Sequence, residues 1–276
     1  MTTLAGLAEA VLRCGGGREK AALALENAAL WQAARKAGTP LAIGQATPPR
    51  DPARPAKPEL KDPRDVPRRK PGSPEGRLAI LHAIAHIELN AVDLHWDIVA
   101  RFTDVDFPLG FYDDWVASAA EEAKHFNLIC DRLEALGSFY GALPAHAGMW
   151  QAARDTEADL MGRLAVVPMV LEARGLDVTP GMIEIFTKAG DVDTVAALEV
   201  IYAEEVGHVA YGAKWFNFLC GREGLDPKDA FHGLVRRYFP GGTKPPFNAE
   251  KRAEAGLPPD FYWPLADAEP PVWARG

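Results

Sequence analysis

Apolar positions along this chain recur three and four residues apart over long stretches, and no strong apolar–polar alternation of the strand type appears. The pattern predicts an all-α protein. Proline placement divides it. Of the 23 prolines, ten fall from Pro40 to Pro74 and eight from Pro240 to Pro271, leaving five in between. Because proline is excluded from helix interiors, four segments are expected. An N-terminal helical segment spans 1–38, a proline-rich basic connector 39–73, a helical body 74–238, and a proline- and aromatic-rich tail 239–276.

The body carries its own helix punctuation. Ser73-Pro74 reads as an N-cap followed by proline at the first helical position, opening a helix to about Phe102. A second helix runs from about Phe111 to Leu136, with Gly137 as its stop. A third is expected from Gly148 to Arg174, ending at Gly175. Thr179-Pro180 then opens a short helix that stops at Gly190. Asp191 caps a fourth long helix ending near Cys220-Gly221, and Asp226-Pro227 starts one more. Four long helices predict a four-helix bundle. A helix of this length spans roughly 40 Å, and the segment 137–147 reaches roughly 36–40 Å when extended. It is therefore long enough to return along the bundle as a crossover.

Chemistry concentrates in two matching phrases, Ala120-Glu121-Glu122-Ala123-Lys124-His125 and Ala203-Glu204-Glu205-Val206-Gly207-His208. Each sets a Glu and a His three residues apart, on one helix face about one turn from each other. The first and third helices each offer a Glu within an apolar stripe, Glu88 and Glu172. Glu88 precedes Glu122 by 34 residues and Glu172 precedes Glu205 by 33. Each half thus reads as a Glu-bearing helix followed by a Glu-x-x-His helix. Carboxylates on such apolar faces cost several kcal/mol each unless compensated. Two divalent cations would balance four of them. The ligand set predicted for a di-metal site is Glu88, Glu122, His125, Glu172, Glu205 and His208. Glu121 and Glu204, four residues before each His, remain alternatives to Glu122 and Glu205. Carboxylate and imidazole donors suit iron and manganese without excluding zinc.

These phrases, with His82-Ala-Ile-Ala-His86-Ile-Glu88-Leu and Tyr202-Ala-Glu-Glu-Val-Gly-His208-Val-Ala-Tyr211, resemble the ferritin-like di-iron carboxylate superfamily. More narrowly, they resemble a bacterial ferritin-like family of unassigned function, and they are similar to the tRNA hydroxylase branch. The resemblance covers a little over half the chain, from about Ser73 to Cys220. It implies a ferritin-like four-helix bundle and a cofactor of two iron ions, with manganese or a mixed Mn/Fe pair as the alternative. It also implies an O2-activating oxidoreductase of the hydroxylase or monooxygenase kind, supplied by an external electron donor. The substrate would be a small molecule or a tRNA base. An iron-handling ferroxidase, a peroxide-reducing protein and a non-catalytic metal-binding helical protein are the other readings.

Other residues carry softer signals. His95, seven residues after Glu88, is a candidate to support the ligands or relay protons, with a satisfied core histidine as the plainer account. Tyr202, three before Glu205, is a candidate hydrogen-bond donor to a ligand, with core packing as its plainer account. His82 and His86 point off the Glu88 direction and read as structural. Pro168, one turn before Glu172, should loosen the third helix. The net charge of −8 argues against a general nucleic-acid or membrane-surface binder. No apolar run suits a membrane span, and the start lacks the basic region of a signal peptide. Cys14, Cys130 and Cys220 form no CxxC pair, so a reducing cytoplasm is expected. The connector from Arg50 to Lys70 is locally basic and reads as a strap on the bundle, or as a phosphate-contacting arm. The tail aromatics Phe247, Phe261, Tyr262, Trp263 and Trp273 are expected to cover the bundle or a neighbouring subunit, which allows a homodimer.

Overall fold

The structure, a computed structural model, describes residues 2–62, 65, 67 and 69–266. It is all-helical: no strand forms among the described residues, which hold only two isolated β-bridges, Leu60 with Ala145 and Thr243 with Ala266. No helix among them is long and apolar enough to cross a membrane. In chain order the helices are α1 (Leu4–Arg13), α2 (Gly17–Lys36), α3 (Pro74–Arg101), α4 (Leu109–Ala135), α5 (Gly148–Asp155) and α6 (Leu160–Val166). A π-helical turn (Val167–Glu172) follows. Then come α7 (Ala173–Lys188), α8 (Val192–Glu223), α9 (Pro227–Tyr238), α10 (Ala249–Glu254), α11 (Pro259–Tyr262) and a 3-10 turn (Trp263–Leu265). Among the described residues the chain divides into two compact units. The first runs to Trp150 and includes Ile185–Ala197. The second holds Gln151–Glu184 and the described residues from Leu198 onward.

The first unit is organised around α3. Ser73 caps it, its Oγ accepting from Gly76 N at 3.0 Å with Pro74 following. From Leu81 to Ala100 only Ala83 and Ile87 are exposed, so this helix is buried nearly all round. By contrast α1 and α2 are buried on one side. The α1 stripe is Leu4, Ala5, Ala8, Val11 and Leu12, and the α2 stripe is Lys20, Ala21, Ala24, Asn27, Ala28 and Trp31. That spacing is the amphipathic signature. It lays α1 on α3 and α2 on α4, while α3 and α4 pack together. Asp113 of α4 fastens α2, accepting from Trp31 Nε1 at 2.8 Å and from Arg35 at 2.8 and 2.7 Å.

The connector is a strap, as its composition suggests. Ala53 N donates to Leu12 O at 2.8 Å, Arg101 Nη2 to Pro49 O at 3.1 Å, and Lys61 N to Ala145 O at 2.8 Å. Arg54 spends its charge internally, donating to Asn90 Oδ1 at 2.8 Å and lying over the Trp150 ring. Arg64 and Arg68, part of the basic run, lie outside the described residues. The segment after α4 is pinned to α3 by the two histidines read as structural. His82 Nε2 accepts from Gly141 N at 2.9 Å. His86 lies 2.9 Å from Tyr140 Oη and 3.0 Å from His146 O. Burial holds the His82 imidazole neutral, its pKa lowered to about 4 with help from Arg69. Neutrality keeps its acceptor nitrogen available.

Punctuation that demanded a special backbone is found where expected. Gly137 and Gly190 take positive φ, 76° and 71°, just past α4 and α7, and Asp191 Oδ1 accepts from Thr194 N at 3.1 Å. The fourth long helix runs slightly past the expected stop, to Glu223, with Gly224 at φ 67°.

The third helix differs from expectation. It breaks after α5 and resumes at α6, where Asp159 accepts from Gly162 N at 2.8 Å. The break is stabilised by Arg163, fully buried, which donates to Thr156 Oγ1 at 2.9 Å and to Ala153 O at 2.6 Å. These contacts satisfy groups that a helix end leaves unpaired. Nor does Gly175 stop the next stretch, and Thr179-Pro180 opens nothing: α7 continues through both. Gly175 is absent from the positive-φ glycines. Pro180 removes the N–H that would serve the Leu176 carbonyl, and Asn248 Nδ2 supplies a replacement donor at 3.3 Å.

The second unit gathers the tail onto α7. Arg252 is buried, with Nε and Nη2 on the two oxygens of Asp177 at 2.8 and 2.7 Å, and its guanidinium lies over the rings of Phe247 and Tyr262. Phe247 also meets Trp263 edge-on at 4.7 Å. Tyr262 and Trp263 are buried, while Trp273 lies outside the described residues.

Two substitutions test this packing. Lys20 and Asp93 form a fully buried ion pair, and burial pushes the Asp93 carboxyl up to about 6 even against the pull of Lys20. Lys20→Met should lower unfolding stability by about 3–5 kcal/mol in urea titrations, because it strands a buried carboxylate. Adding Asp93→Leu should recover most of the loss. In the second unit, a Cβ on Gly212 of α8 would lie 2.5 Å from Pro168. Gly212→Ala should therefore cost about 1–3 kcal/mol by overpacking, read as a lower melting temperature.

Candidate metal centre

In the first unit, α3 and α4 bring three of the predicted ligands together. Glu88, Glu122 and His125 are 4 %, 1 % and 0 % exposed. One ligand atom from each lies within 4.8 Å of the others. His125 Nδ1 is 3.2 Å from Glu88 Oε2 and 3.6 Å from Glu122 Oε2. The i,i+3 spacing on α4 puts Glu122 and His125 on the face turned toward α3. Glu121, one residue earlier, faces away into an open groove it shares with Leu25 and Gln32 of α2.

Burial and close charges shape the electrostatics of this trio. Burial raises the proton affinity of Glu88 well above the usual carboxylate range, and the adjacent Glu122 charge raises it further. For His125, burial opposes protonation, yet hydrogen bonds to Glu122 and Glu88 and their charges hold the imidazole well above its ordinary value. The imidazole of His125 thus lies against both carboxyl groups. A divalent ion supplies positive charge, and all three side chains are metal donors once deprotonated. These buried carboxylate and imidazole groups could hold a metal ion.

His95 belongs to the same neighbourhood. It is fully buried, its Nδ1 lies 3.1 Å from Ser118 Oγ, its ring tilts against Trp115 at 5.3 Å, and one ring nitrogen lies within 4.8 Å of a Glu122 oxygen. Its sequence spacing related it to Glu88. Its closeness to Glu122 depends on how α3 meets α4, which no spacing within one helix encodes.

The second unit holds the other predicted ligands. On α8, Glu205 is 8 % and His208 0 % exposed, with Nδ1 and Oε2 3.7 Å apart at the same i,i+3 spacing as on α4. Glu204, next to Glu205, is only partly buried. Glu172 is buried and closes the π-helical turn. Pro168 loosens this helix as expected: Ala173 N donates to Pro168 O, five residues back. That extra residue per turn rotates Glu172 relative to an uninterrupted α-helix. Tyr202 Oη accepts from Asn248 Nδ2 at 2.7 Å, an engagement with the tail that sequence spacing did not suggest. All three cysteines are free, as their spacing implied.

A family model described as a protein of unknown function (DUF455) matches residues 14–263. An uncharacterized protein of Haemophilus influenzae is 42 % identical over 208 residues, covering 74 % of this chain and 72 % of the relative. No solved structure matches the chain. The family match takes in the residues of both Glu-x-x-His phrases and of both Glu-bearing helices, and the chain belongs to the DUF455 family.

Proposed function

We propose that the protein is a di-metal carboxylate oxidoreductase that activates O2, a hydroxylase or monooxygenase holding two irons. The observation that carries this reading is the buried Glu88–Glu122–His125 trio on α3 and α4. The same Glu-x-x-His spacing, also buried, recurs on α8. In this reading Glu88, Glu122, His125, Glu172, Glu205 and His208 are the six ligands, and the ferritin-like four-helix arrangement implied by the sequence comes with it. Reduced iron held by carboxylate and imidazole would supply the oxygen chemistry.

The chain's own contribution is donor atoms, their orientation and the exclusion of water. Ligand atoms of Glu88, Glu122 and His125 are held together in a dry interior, where charge compensation is worth far more than at the surface. His95, fixed by Ser118 beside Glu122, would orient that carboxylate. No dinucleotide-binding fingerprint is present in the sequence, so electrons would come from an external donor. Free cysteines at 14, 130 and 220 fit a reducing cytoplasm.

Elemental analysis of the full chain from its native host should find two ions of a redox metal per chain. Glu122→Ala and His208→Ala should each weaken metal binding by more than the roughly 10–100-fold that losing an outer hydrogen-bond partner costs. Helical circular dichroism would confirm that the variants fold. Protein that carries no redox metal, or variants that keep their full complement, would overturn the proposal.

A further inference from the structure

Within the second unit, a cavity of about 210 Å³ opens beside the π-helical turn. Its apolar wall is Val170 and Leu171, from that turn, with Phe239 after α9. Its polar wall is cationic: Arg174, Lys244 and Arg252, joined by the backbone at 241–243. Among the described residues no carboxylate lines it. Of the three cations, Arg252 is neutralised by the paired oxygens of Asp177. Arg174 reaches the same carboxylate only at 3.4 Å and is spent mainly on the carbonyls of Lys244 and Pro246, at 2.7 and 2.9 Å, which brace the cavity wall. Lys244 is exposed, and its ammonium makes no ion pair among the described residues. Among the described residues one carboxylate therefore faces three cations, in a chain whose net charge is −8. Arg252 Nη1 is in addition buried without a hydrogen-bond partner in the structure.

We propose that this cavity binds a short-chain monocarboxylate, its carboxylate on the Lys244 and Arg252 wall and its alkyl chain against Val170, Leu171 and Phe239. At roughly 30 Å³ per water-sized group, the volume takes about seven such groups, which is the scale of hexanoate with its headgroup at the mouth. A cationic wall opposite an apolar one selects an amphiphilic anion over a neutral or cationic molecule of equal length. The inference stands apart from the metal reading, since every residue it uses is outside the predicted ligand set.

Calorimetric titration of the full chain with sodium hexanoate tests it, with hexan-1-ol and hexylamine as length-matched controls. Saturable one-to-one binding of hexanoate is expected, at least about tenfold tighter than either control. Lys244→Glu should weaken it by a similar factor, Lys244→Arg should preserve it, and Leu171→Trp should abolish it by filling the cavity. Melting curves would verify that each variant folds. Absence of saturable hexanoate binding, equal affinity for hexanol, or binding that survives both Lys244→Glu and Leu171→Trp would overturn the proposal.

Discussion

An ionised carboxylate inside a helical core must find a cation, and the first unit is built around that requirement. The central helix, α3, buries Glu88, Asp93 and Asp97 along its length. Each is answered from a different direction. His125 of α4 sits against Glu88, Lys20 of α2 against Asp93, and Arg101, one turn on in α3 itself, against Asp97 at 2.7 Å. Hydrophobic burial drives these helices together, but it is indifferent to rotation about the helix axis. Charge pairing is not, because a helix turned by one residue would leave a buried carboxylate without its partner. The pairs thus set the register at which α2 and α4 meet α3.

The three pairs are not equivalent. Lys20 and Arg101 bring one permanent positive charge to one carboxylate. At Glu88 the imidazole of His125 meets two carboxylates, and burial together with the Glu122 charge raises the proton affinity of Glu88. That crowding of buried carboxylate and imidazole donors is what could hold a metal ion.

Much of this was legible in the chain. The caps at Ser73, Asp191 and Asp226, and the glycine stops at 137 and 190, are local decisions, governed by side-chain-to-backbone hydrogen bonds and by positive φ. Burial of Glu122 and partial exposure of Glu121 likewise follow from helix geometry and the flanking apolar residues. What was illegible depended on partners distant in sequence. The α5–α6 break needs Arg163 to hold the Thr156 hydroxyl and the Ala153 carbonyl. The helix through Pro180 needs Asn248. His95 approaches Glu122 only because α3 and α4 cross where they do. Proline and glycine announce that a backbone group is missing or free, and the fold decides whether something else fills the gap.

The role of Asn248 has a consequence for the order in which the chain matures. Its side chain serves the Leu176 carbonyl that Pro180 leaves unserved, and it also holds Tyr202 of α8. Synthesis proceeds from the N-terminus, and units generally fold as they emerge. The helix spanning residues 173–188 is therefore exposed from the ribosome, incomplete, for as long as it takes to make some sixty further residues. The hydrogen-bond complement of α7 is thus completed by a residue some sixty positions later in the chain.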